Sequence, residues 1–110
     1  MLILDCELYP NYFLLSMMDT DTGKVRNFER TAEQPFDGKT VDSIMRKYLT
    51  GSFNGNNFDL PLIAAAIRGS SVKHLKAMCD AIIVKKQPAW RVMRENDVQI
   101  PKAWDHFAVS

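Results

Sequence analysis

The chain opens on an apolar run, Met1-Leu2-Ile3-Leu4, that passes into alternation through Asp5, Cys6, Glu7 and Leu8. A run of that length, closed by the turn residues Tyr9-Pro10-Asn11, predicts a strand. Tyr12 to Asp19 is aromatic and aliphatic enough for a second strand. Asp21-Thr22-Gly23 turns the chain back, and Lys24 to Arg30 alternates, with Val25 and Phe28 as its apolar positions. A third, partly exposed strand is expected there, so the opening reads as an antiparallel meander.

Periodicity then changes from two to nearly four. Thr31 to Lys39, with Pro35 and Gly38, reads as a loop ending at Thr40, a helix N-cap by type. Val41, Ile44, Met45, Tyr48 and Leu49 recur at helical spacing, and Gly51 is expected to close that helix. Ser52-Phe53-Asn54 predicts a short strand. Beyond Asp59, Pro61 suits a first helical turn, and Leu60 to Ile67 is apolar nearly all round, which predicts a buried helix ended by Gly69. Ser70 or Ser71 caps a further helix whose face is Val72, Leu75, Met78, Cys79, Ile82 and Ile83. Lys85, Lys86 and Pro88 mark its close, a short helical turn is expected over Ala89 to Glu95, and a final extended piece over Trp104 to Val109. Strands first, then helix, strand and helices, describe an α/β domain with a mixed sheet.

The 110 residues suit a single domain spanning 1–110, without internal repeat or low-complexity linker. Hydrophobic content of 46% with 25% charged residues is that of a globular protein, and no apolar run approaches the roughly 20 residues of a membrane span. The amino terminus shows no basic region or cleavage-like site, so a cytoplasmic location is expected. Cys6 and Cys79 have no finger or C-x-x-C spacing and read as reduced core thiols, Cys6 facing away from its acidic neighbours. The net charge of +1 hides an asymmetry. Met1 to Asp59 holds 6 basic and 9 acidic residues, whereas Leu60 to Ser110 holds 8 basic and 4 acidic. An acidic site beside a basic half suits an enzyme acting on a polyanion.

Asp5 and Glu7 sit two apart on the first strand and so share a face. Two negative charges about 5 Å apart at an effective dielectric near 20 repel by roughly 3 kcal/mol, so a divalent cation between them is the sharp reading. The plain alternative is an edge strand with two acids in water. Mg²⁺ needs further oxygen ligands, and a second acidic element, N-G-N-N-F-D over Asn54 to Asp59, stands ahead of the apolar helix. For Asp59 the alternative role is a helix cap before Pro61.

The order D-x-E on a first strand, meander, helix, then N-x-x-x-F-D resembles the DEDD superfamily of 3′-5′ exonucleases, which have the DnaQ-like, ribonuclease H-like fold. L-D-C-E-L-Y-P-N-Y-F and F-N-G-N-N-F-D-L-P-L-I are similar to exonuclease domains that phages encode with their DNA polymerases. The resemblance implies that Asp5, Glu7 and Asp59 coordinate two Mg²⁺ or Mn²⁺ ions for phosphodiester hydrolysis. One ion would activate water and the other would stabilise the leaving 3′ oxygen. It implies single-stranded DNA 3′ ends as substrate, a DNA polymerase as possible partner, and a bacterial or phage-infected host cell as setting. Asn54 would orient the loop or bond near the scissile strand, with a turn role as its alternative. Tyr9 and Phe58 are candidates to stack on a terminal base, with Tyr12 expected in the core. Lys85, Lys86, Arg91 and Arg94 are candidates for phosphate contact, against a solvated basic face.

The family's third motif, Y-x-x-x-D or H-x-x-x-x-D, with the last ligand and the general base, is not in the sequence. W-D-H-F-A-V-S resembles the strand that precedes it, with Ala108 where a second Asp often stands, so His106 is expected to be a strand histidine and His74 a surface one. The expectation is therefore a carboxy-terminally truncated domain, the amino-terminal part of a longer exonuclease or a short relative with weak turnover. Base catalysis alone typically contributes 10²- to 10⁴-fold. The competing expectations are a non-catalytic nucleic-acid- or polymerase-binding module on the same fold and a small α/β domain without a nucleic-acid role.

Overall fold

Two turns fold the first thirty residues back on themselves. In the computed structural model, which describes residues 1–53 and 58–109, β1 (Leu2–Tyr9) and β2 (Tyr12–Asp19) pair antiparallel from Leu2 opposite Asp19 to Tyr9 opposite Tyr12. Only Pro10 and Asn11 lie in that turn. Gly23, at φ 74°, supplies the left-handed backbone at the next one, and its N–H donates to the Asp19 carbonyl at 2.8 Å. β3 (Val25–Arg30) then lies antiparallel to β2.

The first helix, α1 (Gly38–Lys47), begins earlier than expected. Asp37, not Thr40, is its cap: the Asp37 carboxylate accepts from the Thr40 N–H at 3.2 Å, and this bond, with a second one involving Thr40, holds its carboxyl below the usual range. The start at Gly38 is set by packing, because a Cβ there would lie 2.8 Å from the Ile67 Cα. Gly51 does not close this helix. It lies inside β4 (Thr50–Phe53), which runs parallel to β1, and Tyr48 and Leu49 are left exposed beyond the helix end.

Three helices follow: α2 (Leu60–Ile67), α3 (Val72–Ile83) and α4 (Ala89–Glu95). Pro61 stands in the first turn of α2, and every residue from Leu60 to Ala66 is buried. Ser71 caps α3 by accepting from the His74 N–H at 3.1 Å. β5 (His106–Val109) closes a five-stranded mixed sheet in the order β3-β2-β1-β4-β5, parallel to β4 with Thr50 opposite His106.

One contiguous apolar cluster joins a single face of the sheet, through Leu4, Phe13, Leu15, Met17 and Phe28, to residues of all four helices. Trp104 is buried just ahead of β5 and donates through Nε1 to Asp42 on α1 at 2.9 Å, tying the last strand to the first helix. Among the described residues, the other sheet face carries no helix of the core and holds Asp5, Glu7, Ser16, Asn27 and Glu29, as the strand alternation and pairing require. Among the described residues, no helix is long and apolar enough to cross a membrane.

Candidate functional site

On β1 the alternation separates the acids from the cysteine between them. Leu4 is buried, Asp5 and Glu7 are exposed, and Cys6 turns toward the helices. The second acidic element arrives on the Cys6 side. Asp59 stands at the entry to α2, only 5% exposed, with helical backbone and no capping bond from its side chain. A capping role for Asp59 is therefore absent. Its carboxyl lies close enough to the Ser52 hydroxyl of β4 and the Cys6 thiol of β1 for both to act on its ionisation.

These contacts set the electrostatics. Burial raises the Asp59 carboxyl to about 6 and the negative charge of Asp5 adds to that rise, while Ser52 and Cys6 oppose it. The same surroundings push the Cys6 thiol well above its usual range, through burial first and then the charges of Asp59 and Asp5, so it is a protonated donor and not a nucleophile. No cation is among the groups acting on Asp59. Asp5 thus adds negative charge to the surroundings of Asp59, while its own side chain lies on the opposite, helix-free face of β1.

Behind Asp59 lies a buried polar chain that sequence reasoning missed. Ser52 and Thr50 share one face of β4, both 0% exposed, and His106 of β5 spans them. Its Nδ1 lies 2.7 Å from the Thr50 hydroxyl and its Nε2 2.9 Å from the Ser52 hydroxyl. Burial lowers the His106 pKa, which favours the neutral ring. His106 is a strand histidine, as expected. Its two partners stand 56 and 54 residues away, so only the strand pairing brings them together.

The remaining candidates are spread out. Tyr9 is 53% exposed beside Tyr12, with ring centroids 6.4 Å apart. Tyr12 is not in the core: it sits half-buried on the helix-free face, with burial and a bond to Glu29 raising its pKa. Phe58 is half-buried and packs against the core cluster. Lys85 and Lys86 are exposed after α3, Arg91 pairs with Glu95 at 3.2 Å, and Arg94 stacks over Trp90 at 5.3 Å. His74 is not a free surface residue, since Nε2 bonds the Asn96 side chain at 2.7 Å and Nδ1 the Ser70 hydroxyl at 3.0 Å. Asn54, with Gly55, Asn56 and Asn57, lies outside the described residues.

Three carboxylates are the hard oxygen donors that Mg²⁺ and Mn²⁺ take. The fit is one of donor chemistry. Among the described residues, no group of three or more His, Cys, Asp or Glu side chains is placed to hold a metal ion, so Asp5, Glu7 and Asp59 are not gathered into one site. Comparison with known proteins finds no family model that matches the chain and no matching curated protein.

Proposed function

We propose that this is a divalent-metal-dependent 3′-5′ exonuclease domain of the ribonuclease H-like type, acting weakly on DNA 3′ ends. The observation that carries the reading is the approach of Asp59 to β1, where a buried carboxyl feels the negative charge of Asp5. The meander, the parallel β4 and the helices on one face support the same reading, since they set the end of the acidic strand beside the entry to α2.

Asp5, Glu7 and Asp59 would hold the Mg²⁺ or Mn²⁺. A cation bound there supplies charge neutralisation and activation of water for phosphodiester hydrolysis. The chain's own part is to set Asp59 beside β1 and to present Tyr9 for stacking on an unpaired base. Turnover is expected to be slow because His106, the late histidine, has both ring nitrogens engaged by Thr50 and Ser52 and is not free to take a proton from water.

A second reading is favoured by the unassembled carboxylates: a module that binds nucleic acid or a polymerase without cutting. The test is degradation of a 3′-labelled single strand in Mn²⁺ by the native chain and by Asp5→Ala. Shortening that the substitution abolishes supports the nuclease. Retention of the strand without shortening supports the binding module, and neither outcome would end both.

A further inference from the structure

We infer that the cleft beside α4 is a binding site for single-stranded nucleic acid, in which Trp90 stacks on a base while Arg94 and Lys102 meet neighbouring phosphates. This goes beyond the nuclease reading, because a strand held there need not be cut. The cleft lies apart from Asp5 and Glu7, since α4 packs on the helix side of the sheet and the two acids face the other side.

Folding treats the chain's two tryptophans oppositely. Trp104 is buried, whereas Trp90, in the first turn of α4, stays 59% exposed. An aromatic side chain can bury about 150–250 Å² of largely apolar surface, so an indole left this open gains free energy from any flat ligand that covers it. One turn along the same helix, the Arg94 guanidinium rests over the ring at 5.3 Å, holding a positive charge against the aromatic face. The pair lines an open cleft of about 790 Å³ whose apolar wall includes Met93, Ile100 and Pro101 and whose second cation is Lys102. Among the described residues, no carboxylate lines this cleft, and neither Arg94 nor Lys102 makes an ion pair. Arg91, by contrast, is committed to Glu95. A protein surface could also cover an exposed tryptophan, but the charge decides: two uncommitted cations on an aromatic wall fit a ligand that alternates planar bases with phosphates. Lys85 and Lys86, exposed between α3 and α4, and the balance of 8 basic to 4 acidic residues from Leu60 to Ser110 strengthen the attraction for a polyanion.

The experiment is a titration of a short labelled oligo(dT) strand with the native chain, Trp90→Leu and the pair Arg94→Gln/Lys102→Gln, followed by fluorescence anisotropy over a series of salt concentrations. EDTA is present so that nothing is cut, and circular dichroism verifies that the variants are folded. An abasic strand of the same length, dTMP and an oligoglutamate of matching charge serve as controls. The expected result is that Trp90→Leu weakens binding by about fivefold or more, on the scale of one lost base stack, and that the native chain holds the abasic strand correspondingly less tightly than oligo(dT). Each phosphate neutralised on a single strand contributes about 0.7 to the slope of log affinity against log salt, so the double variant should have a slope shallower by about 1.4. Neither dTMP nor oligoglutamate should displace the strand. No binding by the native chain, an unchanged affinity in Trp90→Leu or an unchanged slope in the double variant overturns the proposal. Displacement by oligoglutamate overturns it in favour of an acidic protein partner, and displacement by dTMP in favour of a free nucleotide. Shortening of the strand in Mn²⁺ is read in a separate assay, so this site and the nuclease reading can each fail alone.

Discussion

Replacing Asp59 by Asn should stabilise the protein at neutral and alkaline pH. The carboxyl titrates at about 6 in the fold against 3.8 in an unperturbed chain, because burial and the nearby Asp5 charge disfavour the ionised form. Between about pH 4 and 6 the folded state therefore keeps a proton that the unfolded state has lost. Its contribution to stability falls as pH rises through that window and is fully lost above it. At about 1.4 kcal/mol per unit, the cost at pH 8 is at most about 3 kcal/mol. Asn keeps the shape without the charge, so Asp59→Asn should recover roughly 1–3 kcal/mol at pH 8 and almost nothing at pH 4. For a chain of this size that is a melting temperature higher by about 4–12 °C. Thermal unfolding followed by circular dichroism at pH 4, 6 and 8 measures it. A variant less stable than native at pH 8, or a gain equal at all three values, would refute the reasoning, since it would mean that the fold favours the carboxylate.

Other consequences are structural. Gly38→Ala drives a methyl group against the Ile67 backbone, Cα at 2.8 Å and carbonyl oxygen at 2.9 Å, which cannot move aside as a side chain does. A loss of about 1–3 kcal/mol is expected in urea unfolding, despite the better helix propensity of Ala. Trp104→Phe keeps most of the buried ring but removes the donor to Asp42, and should cost about 1–2 kcal/mol by the same measurement. That change should also let the Asp42 carboxyl rise. Burial already raises it, and the bonds from Trp104 and Arg46 are what hold it low.

What the sequence made legible was local. The second strand and α4 fall over Tyr12 to Asp19 and Ala89 to Glu95, as their periodicity requires, and Pro61 and Ser71 open their helices for reasons contained within a few residues. What it hid depends on distant partners. Thr40 looks like a cap, but its N–H is the group being capped, by Asp37. Gly51 looks like a helix stop, yet its place is set by pairing with Ile3 and Phe107 on the two neighbouring strands. Tyr12 has a core-like composition around it, and one position of strand phase puts it on the helix-free face beside Tyr9. The carboxylates were readable as a type of chemistry. The buried polar cluster beside them was not, because the contacts of His106 with Thr50 and Ser52 join β5 to β4 across more than fifty residues.

The most direct measurement is electron paramagnetic resonance of Mn²⁺ titrated with the native chain, Asp5→Ala, Glu7→Ala and Asp59→Ala near pH 8. If the three acids share a cation, the native chain removes free Mn²⁺ from solution and each substitution weakens that binding by tenfold or more, on the order expected for the loss of a ligand. Binding unchanged in all three variants, or none by the native chain, would contradict the account.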